Sequence, residues 1–263
     1  IYSNFGLGFD FGITRFLAFG LSGSRGKLSS ESEDLRFSQI KGTAYLKFND
    51  IFSGSAGFGT TFFANSLKEN IIEFSLSAQK KNLFNVTAFL NYSDAAFILY
   101  SPFLVNSRLN AYHFGLNAEY RFKNNLILSG KYFYIDVSDN KTGNQFQARV
   151  GKVFESDITT GYEYFFYTFD TQSILYWSPK NFESHSVWSD WTLYKDDEVD
   201  FTIGGKLGLI PQNDYILSEF YAAFNYQIIN SIFLQLRYTT GSSFRSNFGY
   251  RSNSIQASFI WNL

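Results

Sequence analysis

The chain has no cysteine, only two histidines and three prolines, and no run of eighteen consecutive apolar residues. Lack of cysteine excludes a disulfide framework and thiol chemistry and leaves the compartment open. Two histidines give no basis for a multi-histidine metal site, and no cofactor is expected. The missing apolar run excludes an α-helical membrane protein. Charge of one sign is lacking too: 22 Lys and Arg stand against 23 Asp and Glu, so a nucleic-acid partner has no electrostatic support. The sequence opens at Ile1 with neither an initiating methionine nor a signal segment, and reads as a mature chain or a piece of a longer one.

Aromatic residues are abundant. The 32 Phe and 18 Tyr favour strands and suit a membrane interface, where rings sit at headgroup level. From Ala111 to Phe122 the sequence reads AYHFGLNAEYRF. Tyr112, Phe114, Leu116, Ala118, Tyr120 and Phe122 alternate with His113, Gly115, Asn117, Glu119 and Arg121. A period of two puts the first set on one face of a strand and the second on the other. At about twelve residues the segment is long enough to cross a bilayer, which takes ~9–11 tilted residues. About fifteen segments repeat the pattern, from Phe5, Leu7, Phe9 and Phe11 to Ile255, Ala257, Phe259, Trp261 and Leu263.

The links between segments alternate in length. Short turns fall at Gly12 to Arg15, Asn49 and Asp50, Lys80 to Asn82, Lys123 to Asn125, Glu155 to Asp157, Lys195 to Glu198 and Ile229 to Ser231. The longest links are Ser24 to Arg36, Ser93 to Asn110, Thr171 to Ser184 and Thr240 to Ser252. Outer-membrane barrels have short periplasmic turns and longer extracellular loops, which puts Ala111 outside and Phe122 at the periplasm. Were the apolar face turned inward, His113, Glu119 and Arg121 would enter hydrocarbon, where an Arg at mid-bilayer costs roughly 2–4 kcal/mol. Aromatic belts fall where a membrane needs them. Phe48, Phe52, Phe84, Phe122, Trp191, Phe201 and Trp261 stand at the turn side, and Phe62, Tyr92, Tyr112 and Tyr134 at the loop side. A soluble all-β sandwich or barrel alternates as well, but long strands, alternating links and paired belts would then coincide by accident.

The expected fold is all-β: a transmembrane antiparallel up-and-down β-barrel, with residues 1–263 forming an outer-membrane barrel domain. Single-chain bacterial barrels have even strand numbers. Fifteen segments therefore imply sixteen strands in the parent chain, one of them upstream of Ile1, or fourteen if one element has been split. A barrel of that size leaves room for an aqueous lumen.

The expected lumen face carries Lys41, Lys47, Arg121, Lys131, Arg149, Lys206 and Arg237 against Asp10, Glu73, Glu119, Glu163, Asp190, Asp200 and Glu219, with Asn117 among them. Balanced charge argues against a filter for ions of one sign. Such residues either pair across strands to satisfy a wet interior or form a polar track for a neutral or mixed-charge solute. Lumen-side aromatics, Tyr45, Phe89, Phe133, Phe165, Tyr167, Trp188, Tyr194 and Tyr221, fit sugar rings or an inward-folded loop. Catalysis finds little support. A nucleophile needs a base in reach, and His185 faces away from both Ser184 and Ser186 on a strand.

The stretch Tyr176 to Phe182, YWSPKNF, resembles a motif in barrels of the YaiO family. It is also similar to the carboxy-terminal barrels of tetratricopeptide-containing exopolysaccharide exporters, such as those for cellulose and poly-N-acetylglucosamine. The Thr14, Arg15 turn with the Gly- and Ser-rich strand after it is similar too, and the last alternation resembles the terminal signal read by the outer-membrane assembly machinery, with Leu263 in place of the usual Phe. The resemblance implies an outer-membrane channel for exopolysaccharide export, with helical repeats upstream in the periplasm. A general diffusion porin, or a surface adhesin or receptor using the FILYSPFLV stretch between Ser93 and Asn110, are the alternatives. Expected partners are outer-membrane lipid, the assembly machinery and a polysaccharide or small-solute cargo.

Overall fold

The computed structural model describes residues 2–29, 34–99, 101, 104–229, 232–245 and 248–261. The alternating segments become fifteen strands: β1 (Tyr2–Thr14), β2 (Leu17–Ser29), β3 (Asp34–Lys47), β4 (Phe52–Phe63), β5 (Lys68–Lys80), β6 (Phe84–Asp94), β7 (Asn110–Arg121) and β8 (Leu126–Val137) in the first part of the chain. They continue as β9 (Lys141–Val153), β10 (Ile158–Phe169), β11 (Phe182–Lys195), β12 (Val199–Ile210), β13 (Tyr215–Ile229), β14 (Ile232–Arg245) and β15 (Phe248–Trp261). Two four-residue helices, α1 (Ala95–Ile98) and α2 (Leu104–Ser107), lie between β6 and β7, and a 3-10 turn, Pro211–Asn213, follows β12.

Each strand pairs antiparallel with its sequence neighbour, in the unbroken order β1 to β15. The sheet curls until Cα atoms of β1 and β15 come within 8 Å of each other. An odd count in such a meander makes these two strands run in the same direction, and no hydrogen-bonded ladder joins them among the described residues.

Pairing fixes the faces, because residues opposite each other in a ladder share a side of the sheet. Tyr112, Phe114, Leu116, Tyr120 and Phe122 are exposed on the outer face, as are Phe58, Phe74, Leu76, Val187, Leu207 and Ile216. A continuous belt of exposed apolar side chains suits lipid and would be a liability in water. The side chains of Phe5, Leu7, Phe9, Ala257, Phe259 and Trp261, and Leu263 altogether, lie outside the described residues.

Short connections are built from Asx chemistry. Asn49 Oδ1 accepts the N–H groups of Ile51 and Phe52 at 2.8 Å each, and Asp196 Oδ1 accepts those of Glu198 at 2.8 Å and Val199 at 2.6 Å. Asn82, Asn125 and Asp157 take positive φ in three further turns, the left-handed region that Asn and Asp tolerate. Hydrogen bonds from Tyr194 and from the Val199 and Glu198 N–H groups hold the Asp196 carboxyl below the usual carboxylate range.

Two expected long links are largely ladder instead. Ser24 pairs with Gln39, Lys27 with Arg36 and Ser29 with Asp34, while Thr240 pairs with Asn253 and Arg245 with Phe248. Polar side chains hid these strand ends from the alternation, yet continuing the ladder satisfies the backbone whatever the side chains are. Among the described residues, the long links are 95–109 and 170–181.

Candidate functional site

Both long links fold into the barrel. Link 95–109 leaves β6 at Asp94, whose carboxylate accepts the Ala96 N–H at 2.7 Å and caps α1. Ala95 N–H donates to the Leu109 carbonyl at 2.8 Å and closes the neck of the loop. Inside, the Phe97 ring lies 4.8 Å from Phe37 edge-on and 5.7 Å from Phe63 stacked. Leu99 and Leu104 are buried in the same cluster.

Link 170–181 enters between β10 and β11. Trp177 packs 5.4 Å from Tyr167 and 5.2 Å from Phe182, and Tyr176 packs 5.7 Å from Phe169. The Tyr176 hydroxyl donates to Asp139 Oδ1 at 3.1 Å, and Asp139 pairs with Lys141 at 2.6 Å. Burial and the adjacent Asp139 carboxylate push the Tyr176 phenol well above its ordinary value, so it stays a donor. Ser101 Oγ donates to the Leu175 carbonyl at 3.4 Å, joining the two links. Phe37, Phe63, Ala111, Ile135, Val137, Tyr167 and Phe169 line the barrel wall around them in one buried apolar cluster. The loop-side end of the interior is thus a dry plug.

Beneath the plug the wall is polar. Glu163 on β10 is 1% exposed and accepts from Arg149, from Gln147 at 2.6 Å and from Lys206 at 3.1 Å. Arg149 stands directly opposite Glu163 on β9, whereas Lys206 comes from β12 and crosses β11 beside the small Ser186, which faces Glu163. Lys206 also reaches Glu219 at 3.5 Å. Trp188 lies over a glycine row: a Cβ on Gly151 would fall 2.6 Å from its indole, and one on Gly161 2.0 Å from the Val150 carbonyl. Arg149 caps the Trp188 ring at 5.4 Å, and Arg237 caps Tyr221 at 4.3 Å. Across the barrel Lys41 pairs with Glu73 at 2.7 Å, next to hydroxyl pairs Ser55–Ser75 and Ser77–Thr87. Lys47 pairs with Asp50 at 2.8 Å and Arg121 with Glu119 at 2.9 Å at the turn-side rim.

By ladder register the expected lumen residues share the inner face, Tyr194 excepted, and several of them need correction. Tyr167 is buried in the plug, and Glu163 and Trp188 are buried in the wall under Arg149 and Lys206, so none of the three presents a free surface. Lys131, Asn117 and Asp190 keep their places, Asn117 opposite Lys131 and Asp190 opposite Gly204. Tyr194 does not face inward: an irregularity after Thr192 sets it against the outer-face residue Phe201, and its hydroxyl donates to Asp196. His113 faces inward and sits 5.3 Å from Phe89 and 5.1 Å from Phe133. His185 faces outward against Tyr162, away from the inward Ser184 and Ser186. In FILYSPFLV, Phe97, Leu99 and Leu104 turn inward, while Tyr100, Pro102 and Phe103 lie outside the described residues.

Of the two uses expected for the lumen-side aromatics, Phe165 and Tyr167 serve the inward-folded loop. Alternation fails at the loop ends of β8 and β10, where YFYIDV and YFFYTF are apolar on both faces. A strand apolar on both faces is covered on both, here by lipid outside and by the plug inside.

No protein-family model and no curated protein sequence matches the chain. Among solved structures it is similar to a bacterial polysaccharide outer membrane secretin, with a TM-score of 0.78 and 7% identity over 100% of this chain and 91% of that one. That likeness is one of fold, an antiparallel up-and-down β-barrel architecture. Weaker likenesses are to the NanC porin (TM-score 0.43, 13% identity, 74% of this chain and 94% of that one) and the siderophore receptor PirA from Acinetobacter baumannii (TM-score 0.48, 8% identity, 99% and 55%).

Proposed function

We propose that this chain is an outer-membrane channel that rests closed, the barrel of an exopolysaccharide export or related envelope system. The observation that carries the reading is the pair of inward links joined over a polar, charged wall. A barrel serving only as an anchor has no need of such a wall, and a general diffusion porin has no need of the plug. The secretin likeness and the resemblance of YWSPKNF to exporter barrels support a polysaccharide cargo, and the second now has a physical role, since Tyr176 and Trp177 anchor the plug. An adhesin reading is disfavoured by the inward turn of Phe97, Leu99 and Leu104. The reading is non-enzymatic, with His185 and the two serines on opposite faces. Upstream helical repeats would deliver polymer from the periplasm. Deleting the gene should leave polymer trapped in the periplasm, scored by extracting periplasmic and surface polysaccharide separately; unchanged surface polysaccharide contradicts the export role.

A further inference from the structure

Charge is balanced over the inner face in number but not in accessibility. On β3 and β5, Lys41 is matched one to one by Glu73 at 2.7 Å. On β8 to β14, Lys131, Arg149, Lys206 and Arg237 share the inner face with four carboxylates, Glu163, Asp190, Asp200 and Glu219, of which Asp200 lies next to the turn-side end of β12. Glu163 is almost fully buried behind Arg149 and Lys206, and Asp190 is engaged by the Tyr221 hydroxyl. The two most accessible members are cations: Lys131 and Arg237 are both exposed. Lys131 stands within electrostatic reach of Arg149 and Lys206 as well as Glu163, and the Arg237 guanidinium rests on Tyr221. What this wall offers to the lumen is therefore positive, and like cations gathered there are relieved by a bound anion.

We infer that this wall binds a carboxylate-bearing saccharide, so that the cargo is an acidic rather than a neutral or amine-bearing glycan. The inference rests on the channel reading and names its substrate class. Guanidinium groups pair with carboxylates in a planar fork, and here each lies on an aromatic ring that fixes its plane. Spread over several strands, these cations match charges repeated along a polymer better than a single small ion.

The test is calorimetric titration of the purified full chain in detergent with trigalacturonate, maltotriose and sulfate. Trigalacturonate should bind at least about ten-fold tighter than either of the others and weaken with added salt. A Lys131→Gln, Arg237→Gln variant should lose about ten-fold for trigalacturonate, while Lys81→Gln in the turn between β5 and β6 should match the wild type. If the double variant does not fold, Lys131→Gln alone, at an exposed position, carries the comparison. Equal or tighter binding of maltotriose, sulfate binding as tight as trigalacturonate, no binding of any probe, or an unaltered variant each overturns the inference. Conductance is measured separately, so a barrel that stays closed until the plug is loosened yet prefers maltotriose overturns this inference and leaves the channel reading standing.

Discussion

Glu163 sits at the point of greatest leverage among single residues. Its carboxylate is held between Arg149 and Lys206 in a wall position that water hardly reaches. Breaking one partner of a buried pair typically costs about 3–5 kcal/mol, because the remaining charge is stranded, while replacing both partners costs far less. Arg149→Gln should therefore destabilise the barrel by roughly that amount in a urea titration in lipid, softened by Lys206, and the Glu163→Gln, Arg149→Gln double variant should recover most of it. A double variant as unstable as the single would show that the site depends on shape and not on charge. The opposition of Arg149 and Glu163 is readable in the sequence once register is assigned. The reach of Lys206 across β11 is not, because it depends on how small Ser186 and Gly208 are and on the barrel's curvature.

At the scale of elements, the plug is held by contacts that respond differently to pH. Asp94 lies two residues past the loop-side belt residue Tyr92, outside the apolar band, and caps α1. Burial raises its carboxyl to about 6, against the Ala96 N–H bond that favours the charged form, and Glu69 adds to the rise. A carboxyl raised in the docked state stabilises docking below its ordinary range near 3.9, and that contribution is lost as pH rises through about 6. Hydrogen-exchange protection of residues 95–109, corrected for intrinsic rate, should fall between about pH 4 and about pH 6 and level off above. Asp94→Asn, which keeps the acceptor and removes the charge, should hold protection flat; a wild type with no pH dependence contradicts the role. The strands themselves were legible from period two, and the turns from Asn and Asp at their corners. An inward-folded loop was legible only as one of two uses for the lumen-side aromatics, and which links form it was not, because α1 and α2 are one turn each and carry no helical period, and because their partners Phe37 and Phe63 are distant in sequence.

For the whole molecule, one asymmetry organises everything: an apolar outer belt, a polar inner wall, and an inner wall that turns apolar only at the loop side. Alternation predicts the first two from sequence and the third only where it breaks down. Fifteen strands also match the count of alternating segments, while the even number expected of a bacterial barrel is not met within the described residues.

The most direct test is single-channel recording of the full chain in planar bilayers. The plug should keep the wild type nearly silent, and Phe97→Ala with Trp177→Ala should produce frequent opening. Those two rings bridge the links to the wall, and truncating a buried aromatic costs about 3–5 kcal/mol. A wild type with steady open conductance, unchanged by the two substitutions, would contradict the account of a closed channel.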